Sequence, residues 1–569
     1  MYAKLDGSSR QIPTRSGPAI HRVYHVGPLP IIRHFLDRMG FSSIVSSCLR
    51  TPRLLAIDHA HTLSLLIANI LMSPSPLYRI AEWAAPFSAS ALGLTPSQKD
   101  SINDDRAARS LDALVSVHAR SLFFRLALHV IKHFEIDTRR IHHDTTTVTF
   151  HGQYASSFAE PRISRGHNKD HRPDLKQLVF GISVAADGAV PLSHEVYSGN
   201  RTDDTVHRGN VDGLRQLLQR DDFIYVADSK LATQKNLQHI ASYGGRFVSV
   251  LPRSRAEDKL FRQQLRDGPP IRWRRFLSLD HKRRHNDLPD IYSSTTAGPQ
   301  QTKEGYRLLW CRSSQTARHD ADSRQTLLEK TRQQLLDLAA RINRGRLCTR
   351  SRILRAANTI LLDCGSKSWF LLQVHAHVQI QTRRLRRGRP QPGDPVRQVR
   401  STVFQLDYKP NKPALQAEAR CDGVFPIVTN IPRRRVSKAE LLQIYKYQPY
   451  VEKRHSLLKT ELEVAPVYLK KPHRAAGLIH AAFLAMTVDA LIERTLRQAM
   501  IRYGIDALPI LPEGRPSKTP TTARLLEMFS HVCWYEFERG DEILTFPINL
   551  TPLQKKLLHL LEIAPSTYA

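Results

Sequence analysis

Cysteine is scarce in this chain and badly placed for a framework. The six residues, Cys48, Cys311, Cys348, Cys364, Cys421 and Cys533, are scattered over 569 positions with no CxxC pair and no nearby histidine at ligand spacing. That argues against a zinc site or a disulfide scaffold and for reduced thiols. The opening MYAKLDGSSRQIPTRSG lacks the apolar run of a secretion signal. Long uninterrupted apolar runs are missing as well. The most apolar stretch, Ala475 to Ile492, carries His480 and Asp489, so it predicts a buried helix and not a membrane span. Together these absences predict a soluble, cytoplasmic protein with no membrane partner.

Acids are also in short supply. Against 52 Asp and Glu stand 84 Lys and Arg, giving a net charge of +32 and a pI near 10.2. An excess of that size points to a polyanionic partner, most often nucleic acid. The plainer readings are ribosome association or a basic, Arg-rich proteome. The hydrophobic share of 41% is enough for a buried core. The length predicts about three or four structural units.

Across 1–135, the stretches Leu29–Leu49, His61–Met72, Leu77–Phe87 and Asp104–Phe134 space apolar residues by three and four. They predict a helical N-terminal domain, either a DNA-reading module or a packing scaffold. The pattern changes at Arg139, where RRIHHDTTTVTF is β-branched and aromatic, as a strand should be. A polar loop follows, GHNKDHRPDLKQ at 166–177. The runs LVFGISVAADG and VPLSHEVYSG then flank an Asp187-Gly188 hairpin turn. A helix after Thr205, the short strand FIYVADS, a helix stopped by glycine and the strand RFVSVLP complete 136–252. Three strands in meander order, then helix, strand, helix and strand, is the ribonuclease-H-like order. That order puts acids on the first strand and at the end of the fourth.

Residues 253–425 are Arg-rich and Pro-punctuated, and predict a mostly β insertion with one helix, about Ser323 to Ile342. Strand-like runs lie at Tyr306–Cys311, Ser368–Gln379 and Val403–Asp407. The block Arg383-Arg384-Leu385-Arg386-Arg387-Gly388-Arg389 is either a phosphate contact or a solvated loop. Core-like sequence returns at GVFPIVTN, so 426–500 is expected to be the second part of the core and 501–569 a C-terminal region. The expected fold class is α/β: a ribonuclease-H-like catalytic core interrupted by a largely β insertion, with a helical N-terminal domain and a helical C-terminal region.

Two-metal phosphoryl transfer needs hard oxygen ligands from several directions, set on rigid elements. Asp144 and Asp228 are single acids in otherwise apolar or β-branched strand sequence, where an unpaired charge is costly to bury. Singly, each reads as a strand-end cap or an ion-pair partner. At matching positions of one pattern, the pair points to a catalytic site. A third acid comes from VEKRHSLLKTEL, where Glu452 precedes Lys459 by seven residues, almost two helical turns, so both point the same way. Val451, Leu458 and Leu462 are the stripe that docks this helix. A Glu-x6-Lys spacing alone is weak, because solvated Glu and Lys are common on helices. One of His142 and His143 must face inward if the strand alternates, and is expected to pack or to support the site without binding metal.

The stretches IHHDTTTVTF, GHNKDHRPDLKQLVFGISVAADGAVPL, YSGNRTD, FIYVADSKLAT and YKYQPYVEKRHSLLK resemble bacterial insertion-sequence transposases of the DDE class. The resemblance is to the branch with a Tyr-x2-Arg-x3-Glu-x6-Lys signature and a β-rich insertion before the Glu. VGPLPIIRHFLDRMGF is similar to the leader region of that branch. The resemblance implies a triad of Asp144, Asp228 and Glu452 binding two Mg2+ or Mn2+ ions. It also implies DNA contacts from Tyr445 and Lys459 near the cleavage site. Gln448 stands where the signature has Arg, and is expected as a further DNA contact that keeps hydrogen-bonding capacity without the charged fork. Pro449 should start a new helical turn, so Tyr445 need not share the helix of Glu452. In the loop 166–177, Lys169 and Arg172 are expected on DNA phosphates, the alternative being a self-paired charged loop. The expected partners are double-stranded DNA, as terminal inverted repeats and target, and a second copy of the chain on that DNA at the nucleoid. A transposase-derived DNA-binding protein without catalysis, or a nuclease without strand transfer, remain the alternatives.

Overall fold

The computed structural model describes residues 20–50, 52, 55–116, 119–152, 154, 161–170, 172–280, 288–385, 396–460, 471–539 and 542–568. The chain divides into two compact units. One combines the residues up to Phe247 with those from Gln443 onward, and the other spans Val248–Leu442.

The first unit opens with β1 (Ile20–His25), α1 (Leu29–Arg38), α2 (Phe41–Cys48) and α3 (His59–Met72). Then come α4 (Ile80–Ala84), α5 (Pro96–Lys99), α6 (Asp104–Leu114) and α7 (Ala119–His133). The helix expected over Leu29–Leu49 is broken at Gly40, whose φ of +62° suits a residue without a Cβ. Asp58 and Asn103 cap α3 and α6, each accepting a backbone N–H of the first turn.

The next stretch follows the expected order of elements. It contains β2 (Arg140–Phe150), β3 (Lys176–Ala185), β4 (Pro191–Ser198) and α8 (His207–Leu218). It continues with β5 (Ile224–Val226), α9 (Gln234–Ser242) and β6 (Arg246–Val250), where the chain passes into the second unit. β3 pairs antiparallel with β2 and β4, while β5 runs parallel to β2, giving the order β4-β3-β2-β5.

The second unit holds α10 (Ala256–Asp267), β7 (Arg274–Leu279), β8 (Asp290–Thr295), β9 (Arg307–Ser313), α11 (Ser314–Ala339) and α12 (Arg350–Asp363). After these come β10 (Phe370–Arg384), β11 (Val396–Pro410), α13 (Lys412–Ala419) and β12 (Val424–Thr429). Its antiparallel sheet has the order β6-β12-β9-β8-β7, and β10 and β11 form a separate hairpin. The expectation of one helix over 253–425 is corrected, since α10, α12 and α13 join α11. The apolar buried faces of α10 and α12 are narrow, Phe261 and Leu265 on the first and Ile353, Ala357 and Leu361 on the second, α13 buries no residue, and Arg-rich surroundings dilute the period. Within the Arg383–Arg389 block, residues from Arg386 on lie outside the described residues.

The chain returns through α14 (Lys438–Tyr445), α15 (Gln448–Thr460), α16 (Pro472–Arg502) and α17 (Thr522–Glu527). It ends with β13 (Cys533–Arg539), β14 (Glu542–Phe546) and α18 (Pro552–Leu560). The expected helical termini are corrected here too, because β1, β13 and β14 form a three-stranded sheet. Short strands paired across almost the whole sequence leave no local period to read. α16 is apolar on every side and packs against α1, α3, α6, α15, α17, α18 and β4. It is long and apolar enough to cross a membrane, and 89% of its most apolar window is buried in protein, the setting of a core helix. Leu462, expected in the docking stripe of α15, lies outside the described residues.

Candidate active site: carboxylates on β2, β5 and α15

The register of β2 and β5 creates the site. Arg140 pairs with Ile224, Ile141 with Tyr225 and His142 with Val226. Asp144 and Asp228 each lie two residues beyond the last of these pairs. Asp144 continues β2 and Asp228 follows the end of β5, close enough for the Asp144 charge to act on Asp228. β2 is central and covered on both faces, so His142 and His143 are both buried, at 0% and 1% exposure. His142 Nδ1 lies 3.0 Å from Gln448 Oε1 on α15. On the other face, His143 Nδ1 lies 3.0 Å from both Ser183 Oγ on β3 and Asn210 Nδ2 on α8. Burial lowers the pKa of His142 to about 4 and holds His143 well below the usual histidine range. Both are neutral packing residues.

The helix α15 is clamped over this face. Gln448 is buried, and its Nε2 donates to the His143 carbonyl at 2.9 Å. Pro449 lies in the first turn, and Tyr445 ends the preceding helix. Arg454 is buried with Asp489 and Glu493 of α16, and its Nε and Nη2 donate to the carbonyls of Ala189 and Gly188, both at 3.2 Å. The β3–β4 turn containing these carbonyls is also held by Arg494, which meets Asp187 at 2.6 Å. Tyr447 adds a further tie, its hydroxyl accepting from Ala189 N at 2.8 Å. Val451 and Leu458 are fully buried, which leaves Glu452 exposed at the edge of the helix.

Electrostatics joins the three acids. Burial, then the charge of Asp144, pushes the pKa of Asp228 up to about 6. Burial likewise raises Asp144, opposed by the ammonium of Lys169. Tyr445 is raised by burial and by the charges of Asp228, Glu452 and Asp144, so one hydroxyl feels all three carboxylates.

Lys169 is directed inward from its loop. Its Nζ lies 3.7 Å from Asp144 Oδ1 and 3.3 Å from Asp203 Oδ2, and donates to Thr145 O at 2.5 Å. Arg172 is exposed and makes a two-bond fork with Asp174, at 2.9 and 2.7 Å. Lys459 pairs with Asp170 at 2.7 Å, which brings the loop to the C-terminal end of α15. The structure thus brings Lys169 to Asp144 and sets Asp228 within reach of the Asp144 charge, while Glu452 joins them only through the charge that it and the two aspartates exert on Tyr445. Arg172 and Lys459 sit on the loop and helix rim, and Gln448 is committed to the interior.

Two residues escaped the sequence reading. Asp203 accepts from Thr145 Oγ1 at 2.7 Å and faces Lys169. The signal was its place in YSGNRTD, an acid just past a strand end. His455 is buried with Nε2 3.7 Å from Asp144 Oδ2, and burial takes its pKa down to about 3. It lies three residues after Glu452, on a neighbouring position of the same helix.

The donor set suits a hard divalent ion, since it is all carboxylate oxygen on two strands and a helix. Burial raises both aspartates, and the Asp144 charge raises Asp228 further, even with Lys169 beside them. Among the described residues no three His, Cys, Asp or Glu converge on one ligation point, and Lys169 lies between Asp144 and Asp203. Replacing Gln448 with Leu removes the bonds to His142 and His143. The expected cost is about 1–3 kcal/mol, read as a lower urea midpoint; an unchanged midpoint would show the clasp to be idle.

A family model described as a domain of unknown function (DUF4277) matches residues 20–128, the stretch from β1 into α7. No curated protein matches. Among solved structures, the chain is similar to the Mos1 transposase in its paired-end complex with the left transposon end. That similarity has 11% identity and a TM-score of 0.14, over 35% of this chain and 59% of the other. It is also similar to the piggyBac transposase synaptic complex with hairpin DNA, at 9% identity and a TM-score of 0.27 over 81% and 80%. The chain therefore spans 59% of the Mos1 transposase chain it matches.

Proposed function

We propose that this chain is a metal-dependent DNA transposase with a ribonuclease-H-like core, in which Asp144, Asp228 and Glu452 hold two Mg2+ or Mn2+ ions. The β2–β5 register carries the reading, because it brings the half-buried Asp144 of β2 and Asp228 just past β5 to the same end of the sheet. The order β4-β3-β2-β5, with β5 parallel to β2, supports the core assignment. Bound ions would supply charge neutralisation at the scissile phosphate and activation of the attacking oxygen.

The protein's own part is rigidity and alignment. β2 and β5 fix two ligands, and the clamp on α15 brings Glu452 from a third direction. Lys169 balances the acids, and the Tyr445 hydroxyl lies within the field of all three. Lys459, Arg172 and Lys169 are assigned to DNA near the cleaved phosphate, while Gln448 positions β2 against α15. Water attacks the phosphodiester at an element's terminal inverted repeat, leaving a 3′-hydroxyl and a 5′-phosphate. The 3′-hydroxyl then displaces a 3′-oxygen from a phosphodiester of target DNA. The proposal includes a homodimer on paired ends, acting at the nucleoid in the cytoplasm.

The test is nicking and joining of a supercoiled plasmid carrying the repeats that flank the gene. With Glu452→Gln, cleavage is expected to fall at least about a hundredfold, with DNA affinity unchanged within about twofold. Full cleavage by this variant would remove Glu452 from the triad. If wild type and Asp144→Ala are equally inert and both bind DNA, the chain is a binding protein. Cleavage without joining would make it a nuclease.

A further inference from the structure

The hairpin of β10 and β11 is core at its base and bare at its outer end. Phe370, Val374 and Leu406 are buried in a cluster with Leu335, Ile353 and Leu361 of α11 and α12. Directly paired residues share a face. This apolar face runs on through the pairs Val378–Thr402 and Ile380–Arg400, where Val378 is 67% exposed.

The opposite face is built differently. It pairs His377 with Val403, Gln379 with Ser401, Gln381 with Val399 and Arg383 with Arg397. Gln379, Gln381, Arg383 and Arg397 are all exposed. No acid occurs in Phe370–Arg384 or in Val396–Leu406. Asp407, the next residue of β11, faces His375 at 3.2 Å near the base, and the connecting sequence 386–395 has a single acid, Asp394.

Edge strands are commonly blunted with charge, and a solvated hairpin needs nothing more than that. It does not need charges of one sign, nor Arg383 directly opposite Arg397, since like charges in register destabilise a strand pair. That arrangement is relieved when an anion sits across it. Glutamine and arginine are the side chains that form paired hydrogen bonds to adenine and guanine edges in the major groove. The seven residues from His377 to Arg383 extend about 23 Å, roughly two-thirds of a turn of duplex DNA. A two-stranded ribbon fits the major groove, about 12 Å wide.

We propose that the outer half of this hairpin is a DNA-reading ribbon that enters the major groove with Gln379, Gln381, Arg383 and Arg397 toward the bases. Arg400, on the other face, lies toward the backbone. The surface belongs to the second unit and does not depend on the carboxylate site.

The test uses the full chain in EDTA, so that binding is read without cleavage. Fluorescence anisotropy follows a labelled 30-base-pair duplex, selected from a random pool, through a salt series. For R383A/R397A/R400A the log–log salt slope is expected to fall by about one, at about 0.9 for the phosphate contact of Arg400, with at least tenfold weaker binding at low salt and lost discrimination from the two base-reading arginines. R383K/R397K/R400K should keep the slope but lose discrimination between selected and scrambled duplexes, because lysine lacks the fork. Q379A/Q381A should lose discrimination about tenfold with the slope unchanged. These positions are exposed, so thermal unfolding should match wild type.

Wild-type slope and affinity in the alanine triple variant would overturn the proposal. So would equal, equally hairpin-dependent binding of duplex RNA, whose major groove is too deep and narrow for a ribbon. Hairpin-dependent DNA binding in a protein that never cleaves in Mg2+ would leave this inference standing and remove the transposase reading alone.

Discussion

Asp228→Asn is expected to abolish Mg2+-dependent strand cleavage, by roughly a thousandfold, and to make the metal-free protein more stable. The activity loss follows from removing a ligand of ions worth several kcal/mol to the transition state, where about 1.4 kcal/mol is tenfold in rate. The stability gain follows from burial. Asp228 has its pKa pushed up to about 6 by desolvation and by Asp144, against about 3.9 for an unfolded chain. The folded state therefore holds the proton more tightly than the unfolded state does. Below about pH 4 the carboxyl is neutral in both states and costs nothing. As pH rises through the interval to 6, ionisation increasingly favours the unfolded chain, and above it the full penalty applies. Two units correspond to at most about 3 kcal/mol.

Asparagine has nearly the same shape and no charge to bury. In EDTA at pH 7.5 its melting temperature should exceed wild type by several degrees, with the gain shrinking as pH approaches 4. In saturating Mg2+ the order should reverse, because ligand binding to the native state stabilises only the protein that still binds. Retained cleavage would mean Asp228 holds no catalytic ion. An equal or lower melting temperature in EDTA at pH 7.5 would mean its charge is not strained.

How much of this was legible depended on distance along the chain. Asp144 and Asp228 could be singled out because each interrupts a short β-branched or apolar run, and the order of elements set their strands side by side. The β3–β4 turn was legible from Asp187-Gly188 alone. Asp203 was not ranked, since its partners Thr145 and Lys169 lie 58 and 34 positions away. Gln448 stands where the signature has an arginine. Its side chain instead closes on His142 and His143, 306 and 305 residues earlier, a contact no local period encodes. The same limit hid the pairing of β1 with β13. α10 and α12 were lost for another reason, that burial on a narrow stripe leaves most of each helix polar, and α13 buries no residue at all.

Arg454→Met should be among the most damaging substitutions outside the carboxylate cluster, at about 3–5 kcal/mol. Arg454, Asp489 and Glu493 are each 4% exposed. Glu493 keeps other cations after the change, Arg497 at 3.3 Å and Lys453 at 3.8 Å. Asp489 loses the guanidinium beside it and must stay charged in the core or take up a proton. The carbonyls of Gly188 and Ala189 lose their donor at the same time, so α15 is untied from α16 and from the β3–β4 turn together. A fall of roughly 10 °C in melting temperature is expected. Glu452, two residues before Arg454, should lose its alignment, and cleavage should fall with it even at temperatures where the variant is folded. Adding Asp489→Leu removes the stranded charge and should recover part of the stability, because an apolar pair replaces a buried ion pair more cheaply than a broken one. A double-mutant cycle then reads the coupling directly. Strict additivity, or a single variant within about 1 kcal/mol of wild type, would show that α15 is held by Val451 and Leu458 alone, and that the buried ion cluster contributes little to placing Glu452.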